Sequence, residues 1–238
     1  MRSLFIQTTD TPNPDSMMFH PGKTVLDREK HGFSREFKAA REALVSPLAK
    51  RLFGVEGVRG VFLAENFITV TKDGDSDWAG LKPEIFAAVT DFYGSGAPAV
   101  VDDGGEQPDG GAVIGEDDSE AVAMIKELLE TRIRPSVAED GGDITFKSFD
   151  EATGVVQLRL QGSCSTCPSS SVTLKNGVEN MLKFYVSEVT SVEAVEDVID
   201  DVSKREFEKL EAKIDAQIAA ASKDGADLMI PKRKPKGE

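Results

Sequence analysis

The chain reads as an α+β protein built from two small mixed domains, and three observations give that reading. In the C-terminal half, Val156, Leu158 and Leu160 alternate with Gln157, Arg159 and Gln161. That period of two marks a half-buried strand. Soon after, Leu174, Val178, Met181, Leu182 and Tyr185 recur at helical spacing on one face. Between two stretches that each mix such patterns, residues 94–118 carry Gly-Ser-Gly, Asp102-Asp103-Gly104-Gly105 and Pro108-Asp109-Gly110-Gly111. This composition buries too little apolar surface to offset chain entropy, so it reads as a flexible linker.

The N-terminal domain, residues 1–93, is assembled in order. Residues 4–8 read as a strand and 9–22 as loop, with Asn13-Pro14 as a turn signal. Met17, Met18 and Phe19 fit a partner-binding patch or core covering the strand, and core is the plainer reading. Residues 23–26 add a short strand. Residues 33–45 read as partly helical, since Ala39, Ala40, Ala43 and Leu44 are good helix formers. Ser46 and Pro47 suit an N-cap and first helical position, with Gly54 as the stop. Residues 58–63 and 67–71 form a hairpin around Ala64-Glu65-Asn66. A helix opens at Asp77-Trp78, runs through Leu81, Ile85, Val89 and Phe92, and ends before Gly94. His20 and His31 stand alone, and a lone histidine is more often a surface or satisfied residue than a ligand.

In the linker, the patch 97–101 is able to dock locally. The rest either only separates the domains or raises the effective concentration of one at a partner held by the other. The C-terminal domain, residues 119–200, begins with a helix over 119–134, with Val122, Ile125, Leu129 and Ile133 on one face and Pro135 closing it. Asp140-Gly141-Gly142-Asp143 is a tight turn where glycine permits positive φ. It lacks the Lys-Ser or Lys-Thr of a phosphate loop, which excludes nucleotide binding there. Antiparallel strands over 144–149 and 155–161, a helix over 169–185 and a strand over 191–195 complete an α-β-β-α-β order. This is a three-stranded sheet with helices on one face. Residues 201–238 add a helical extension, with Phe207, Leu210, Ile214 and Ile218 at helical spacing, and a basic tail around Pro231-Lys232-Arg233-Lys234.

The only two cysteines, Cys164 and Cys167, stand in a C-x-x-C arrangement on the strand-to-helix connection, with Pro168 suited to the first helical turn. Amides and the helix dipole there favour a thiolate by about 0.3–1 kcal/mol. Three chemistries fit: a soft-metal or iron–sulfur ligand pair, a redox disulfide, or a cysteine pair with no task. Against the redox reading, the intervening residues are Ser165 and Thr166 rather than Gly-Pro, and after Pro168 the only prolines are Pro231 and Pro235 in the basic tail. Against a closed metal site, structural zinc and iron–sulfur clusters take four ligands and one chain offers two thiols. Two chains meeting face to face supply four. The expectation is therefore a shared site on a loop at the sheet edge, exposed enough for a second copy to approach. A zinc-bridged dimer remains a further alternative.

The run Ile133-Arg134-Pro135-Ser136-Val137-Ala138-Glu139-Asp140-Gly141-Gly142-Asp143-Ile144, followed after a strand by Gly162-Ser163-Cys164-Ser165-Thr166-Cys167-Pro168-Ser169-Ser170, resembles the NifU-like C-terminal domain of iron–sulfur cluster scaffold and carrier proteins. The resemblance covers residues 116–200. Residues 1–93 resemble the N-terminal domain of the Nfu branch, through Phe5-Ile6-Gln7-Thr8-Thr9-Asp10-Thr11-Pro12-Asn13-Pro14 and Phe19. The resemblance implies a [4Fe–4S] cluster, or a [2Fe–2S] form, bridged between two subunits by Cys164 and Cys167 as metal ligands. It implies a homodimer through that cluster, delivery to apo iron–sulfur client proteins, supply from upstream assembly proteins, and no catalysis.

Charge and hydropathy narrow the partners. The 238 residues carry a formal net charge of -14, which works against sequence-independent nucleic-acid binding. No run approaches the roughly 20 apolar residues of a membrane span. The start, Met1-Arg2 leading into Leu4-Phe5-Ile6, has neither a long apolar segment nor an Arg- and Ser-rich leader. The simplest expectation is a reducing bacterial cytoplasm, or the mitochondrial matrix for a processed eukaryotic form.

Overall fold

The computed structural model describes residues 4–101, 115, 118–166 and 168–195, with backbone only for 166 and 168–174. The described residues belong to one compact unit. Within it stand two sheets, each with its own hydrophobic core, which bears out the α+β reading of two mixed domains.

The N-terminal sheet is fully antiparallel, in the order β1-β2-β5-β4-β3. Its strands are β1 (Gln7–Asp10), β2 (Ser16–His20), β3 (Ser34–Phe37), β4 (Val58–Ala64) and β5 (Ile68–Lys72), with a one-turn helix α1 (Arg28–His31) between β2 and β3. The β4–β5 hairpin is as expected. The expected strand over 4–8 lies later, and β2 falls where a loop was expected. Residues 34–37, expected to be helical, form the edge strand β3, paired antiparallel to β4 from Ser34 opposite Ala64 to Phe37 opposite Val61. Pairing to an existing strand outweighs weak helix propensity, and the good helix formers after Phe37 reach only a 3₁₀ turn, Glu42–Val45.

Alternation along the strands explains an otherwise odd run of buried residues. Met17, Phe19, Val61, Leu63, Ile68 and Val70 face one core, with α2 (Pro47–Leu52) and α3 (Trp78–Ser95) packed on it. Their neighbours Met18, Phe62 and Ala64 face the other way and cluster with Phe67 and with Ala138 of the C-terminal domain. A strand covered on both faces reads as a continuous apolar run. Met17, Met18 and Phe19 are therefore all core, at 4%, 3% and 0% exposure. Ser46 caps α2 as expected, accepting from the Ala49 amide at 3.0 Å, with Pro47 in the first turn. Its hydroxyl donates to Ala99 O, and the Val101 amide bonds Val45 O at 2.7 Å. The patch 97–101 thus docks locally.

The C-terminal domain opens with α4 (Glu120–Leu128), capped by Ser119. The helix does not end at Pro135. A π-helical stretch, Leu129–Ile133, closes with the Arg134 amide bonded to Leu129 O, and α5 (Arg134–Glu139) follows with Pro135 in its first turn. The wider turn absorbs the proline whose missing N–H would otherwise break the ladder. Then come β6 (Gly142–Asp150) and β7 (Val155–Gly162), antiparallel, a short helical turn α6 (Ser163–Thr166), α7 (Pro168–Tyr185) and β8 (Ser191–Ala194). Strand β8 returns parallel to β7, as a helical crossover allows. The order β6-β7-β8 is the expected three-stranded sheet. The expected helical extension and basic tail, and most of the linker, lie outside the described residues.

Candidate cysteine site and its covering surface

The site is a turn built by two glycine positions and one strand end. Strand β7 stops at Gly162, whose φ of 70° is left-handed, and the chain turns directly into α6. Opposite, Gly141 has φ 82° and ends α5, so the Asp140–Asp143 turn is as expected. The two turns are tied together: the Ser163 hydroxyl donates to Asp140 O at 2.5 Å, and the Ser163 amide to Gly141 O at 3.3 Å. Gly142 has to be glycine, because a Cβ there would meet Gln161 O at 2.6 Å and Cys164 Sγ at 2.8 Å.

Cys164 is therefore not an exposed loop residue. It is 3% exposed and packs in the C-terminal core, its Sγ 3.8 Å from Ser163 Oγ. The expectation of a loop open to a second chain is corrected for this residue. Its sulfur occupies the space over Gly142, and the N-terminal domain covers the turn. Cys167 lies outside the described residues, so the pair is not seen together. Among the described residues no group of three or more His, Cys, Asp or Glu side chains could hold a metal.

The covering surface was not legible as a site in the sequence. Glu36, on the edge strand β3, accepts from the Gly162 amide at 3.0 Å and from the Ser165 hydroxyl at 2.9 Å, both through Oε1. Burial pushes its carboxyl above the usual glutamate range, opposed by Lys38, by the Ser165 and Gly162 bonds and by Arg159. Its second oxygen, Oε2, is buried with no hydrogen-bond partner among the described residues. The Asn13 carboxamide donates to Ser163 O at 3.5 Å. Further along, Ser34 Oγ donates to Asp143 Oδ2 at 2.5 Å, and Thr69 Oγ1 to Gly141 O at 2.8 Å. Asp143 is held on its other oxygen by Arg134 Nε at 2.8 Å, and Phe33 lies against the Arg134 and Arg28 guanidinium groups. Asp140, beside the turn, also has its carboxyl raised, by burial and then by Glu139. The sequence signal for this surface was the consecutive apolar run at 17–19 and 61–64. That run says a second face is covered without saying by what. Glu36 carried no signal once residues 33–45 were read as helical.

Among the described residues no helix is long and apolar enough to cross a membrane. Residues 6–96 match the family described as "Scaffold protein Nfu/NifU N terminal", and residues 125–193 match "NifU-like domain". The chain is 55% identical over 207 residues to a protein of Drosophila grimshawi named "NFU1 iron-sulfur cluster scaffold homolog, mitochondrial", covering 87% of this chain and 67% of that protein. It is 54% identical over 210 residues to the protein of the same name from Drosophila persimilis, covering 88% and 72%. A NifU-like protein from Saccharomyces cerevisiae, solved by NMR, superposes on 42% of this chain and 87% of that one, with a TM-score of 0.38 and 28% identity. With both matched regions in order along one chain, and relatives this similar over most of their length, the chain belongs to the Nfu family of iron–sulfur cluster scaffold proteins.

Proposed function

We propose that the protein carries an iron–sulfur cluster between two of its own chains and passes it to apo iron–sulfur proteins. The observation that carries this reading is the position of Cys164, on the strand-to-helix turn inside the NifU-like region. There a thiolate and its C-x-x-C partner Cys167 can turn toward one point. Two thiolates per chain require two chains to complete four ligands. A [4Fe–4S] cluster is the cargo proposed, with [2Fe–2S] as the form that the iron count would reveal instead. Delivery is ligand exchange: incoming thiolates of a client displace the cysteine pairs, and no substrate bond is broken, so the protein is not read as an enzyme. Ser163 and Ser165 shape the turn, and their hydroxyl and amide donors, held by Asp140, Gly141 and Glu36 in the structure, would tune the cluster only if the turn rearranged to free them. The relatives' names favour the mitochondrial matrix, with a bacterial cytoplasm as the alternative.

Anaerobic reconstitution with iron and sulfide tests the reading. About four irons and four sulfides per two chains, with dimerisation that depends on the cluster, is the expected result. Cys164→Ala and Cys167→Ala should each abolish stable loading while leaving the fold intact. A variant that keeps a full cluster, or a parent chain that only cycles between dithiol and disulfide, would overturn it.

A further inference from the structure

We propose that the outer face of the N-terminal sheet is a docking surface for the chain's own cysteine turn, with Glu36 as the latch that fixes the turn, and with it the buried place of Cys164, until the turn leaves the sheet. Three contacts make the latch. Oε1 of Glu36 holds Gly162 N and Ser165 Oγ, two residues before Cys164 and one after it, and Asn13 holds Ser163 O between them. Cys164 itself is 3% exposed in the core of its own domain, over Gly142. Its sulfur can reach a second chain only if the turn that carries it moves, and Glu36 and Asn13 hold the residues on either side of it in place. Glu36 is thus a positioning residue: it acts on the turn, not on the cargo.

The same contacts are built to release. A buried carboxylate oxygen without a hydrogen-bond partner costs free energy that the closed arrangement carries throughout. On the polar side the seam is also incompletely filled. A cleft of about 480 Å³ is lined by Glu36, Phe62 and Gly162 among others. Only the far side is apolar, where Met18, Phe62, Ala64 and Phe67 meet Ala138. Such a contact specifies a register strongly and a free energy weakly, as suits a surface that must let go. The inference that release precedes loading rests on the scaffold reading above. The latch itself does not.

The test is the rate at which N-ethylmaleimide alkylates Cys164 in the full-length reduced chain carrying Cys167→Ser, so that the rate belongs to one thiol. Adding Glu36→Ala should raise it about tenfold or more, tenfold being the scale of losing a single net hydrogen bond that gates an opening. Glu36→Gln keeps a carboxamide oxygen for Gly162 and Ser165 and should stay nearer the parent. Should Glu36→Ala fail to fold, Ser165→Ala, which removes one surface hydroxyl, decides instead by raising the rate in the same direction. Parent-like rates in the folded variants, or equal acceleration by Gln and Ala, would overturn the latch. No iron enters this assay. A chain that never takes up a cluster would therefore sink the scaffold reading and leave the latch standing, whereas normal loading with unchanged thiol rates would sink the latch alone.

Discussion

The two faces of the N-terminal sheet are made from the same strands and do different work. The inner face presents Phe19, Leu63, Ile68 and Val70, all fully buried against α2 and α3. The outer face presents Met18, Phe62 and Thr69, then a half-buried glutamate at the edge whose Oε2 is shut off from solvent. Inner contacts are aliphatic and aromatic, and among the described residues no buried side-chain nitrogen or oxygen there lacks a partner. Outer contacts mix a small apolar cluster with hydrogen bonds between side chains and turn backbone, and include one orphaned oxygen. The difference teaches that burial alone does not identify what holds a domain together. The inner face is a core in the ordinary sense, while the outer face is an interface inside one chain.

That contrast can be broken by substitution. Leu63→Ala, on the inner face, should cost about 2–5 kcal/mol by transfer and cavity terms, seen as a large fall in the urea midpoint. Phe62→Ala, one residue away on the outer face, should cost less than the roughly 3–5 kcal/mol of a phenylalanine truncated in a closed core, because the seam can part instead of keeping the cavity open. It should also speed amide exchange at Gly162, whose N–H is held by Glu36 across the seam, which an inner-face change of equal cost would not do selectively. Ser46→Ala removes a cap and its bond to Ala99, and should cost about 1 kcal/mol in denaturant titration while leaving Cys164 reactivity at the parent rate.

The smallest expected effect is on pH dependence. Burial raises the Glu36 carboxyl above its usual value of 4.5. Only at pH values between 4.5 and that raised value does the folded chain keep a proton that the unfolded chain releases. The stability linked to that proton is fully present below pH 4.5 and is lost as pH rises through the raised value. Stability measured against Glu36→Gln, which has no such proton, should shift in the variant's favour between acid and neutral pH. A constant difference would contradict a buried, raised carboxyl.

Most of the fold was legible, for reasons that differ by element. The β4–β5 hairpin, the Ser46-Pro47 helix start and the glycine turn at 140–143 all rest on local chemistry: period, cap and positive φ. The helical run from Glu120 was legible up to Pro135, but the π-helical stretch Leu129–Ile133 just before it lets the chain continue as α5 through a residue that local rules treat as a stop. Strand β3 was missed because its strandness comes from β4, a partner more than twenty residues away. With β3 went the covering surface, since Glu36 matters only by facing Gly162 and Ser165. Cys164 was legible as chemistry from its spacing, but its burial was not, because that depends on Gly142 leaving room for the sulfur.

The most direct measurement is residue-resolved hydrogen exchange on the full-length chain before and after anaerobic cluster loading. The account predicts that loading strips protection from the Gly162 amide and its neighbours at the seam, while amides of β4 and β5 on the inner-face core keep theirs. A fully loaded chain whose Gly162 amide stays as protected as before would contradict it, and would mean that the cysteine turn takes up its cargo without leaving the N-terminal sheet.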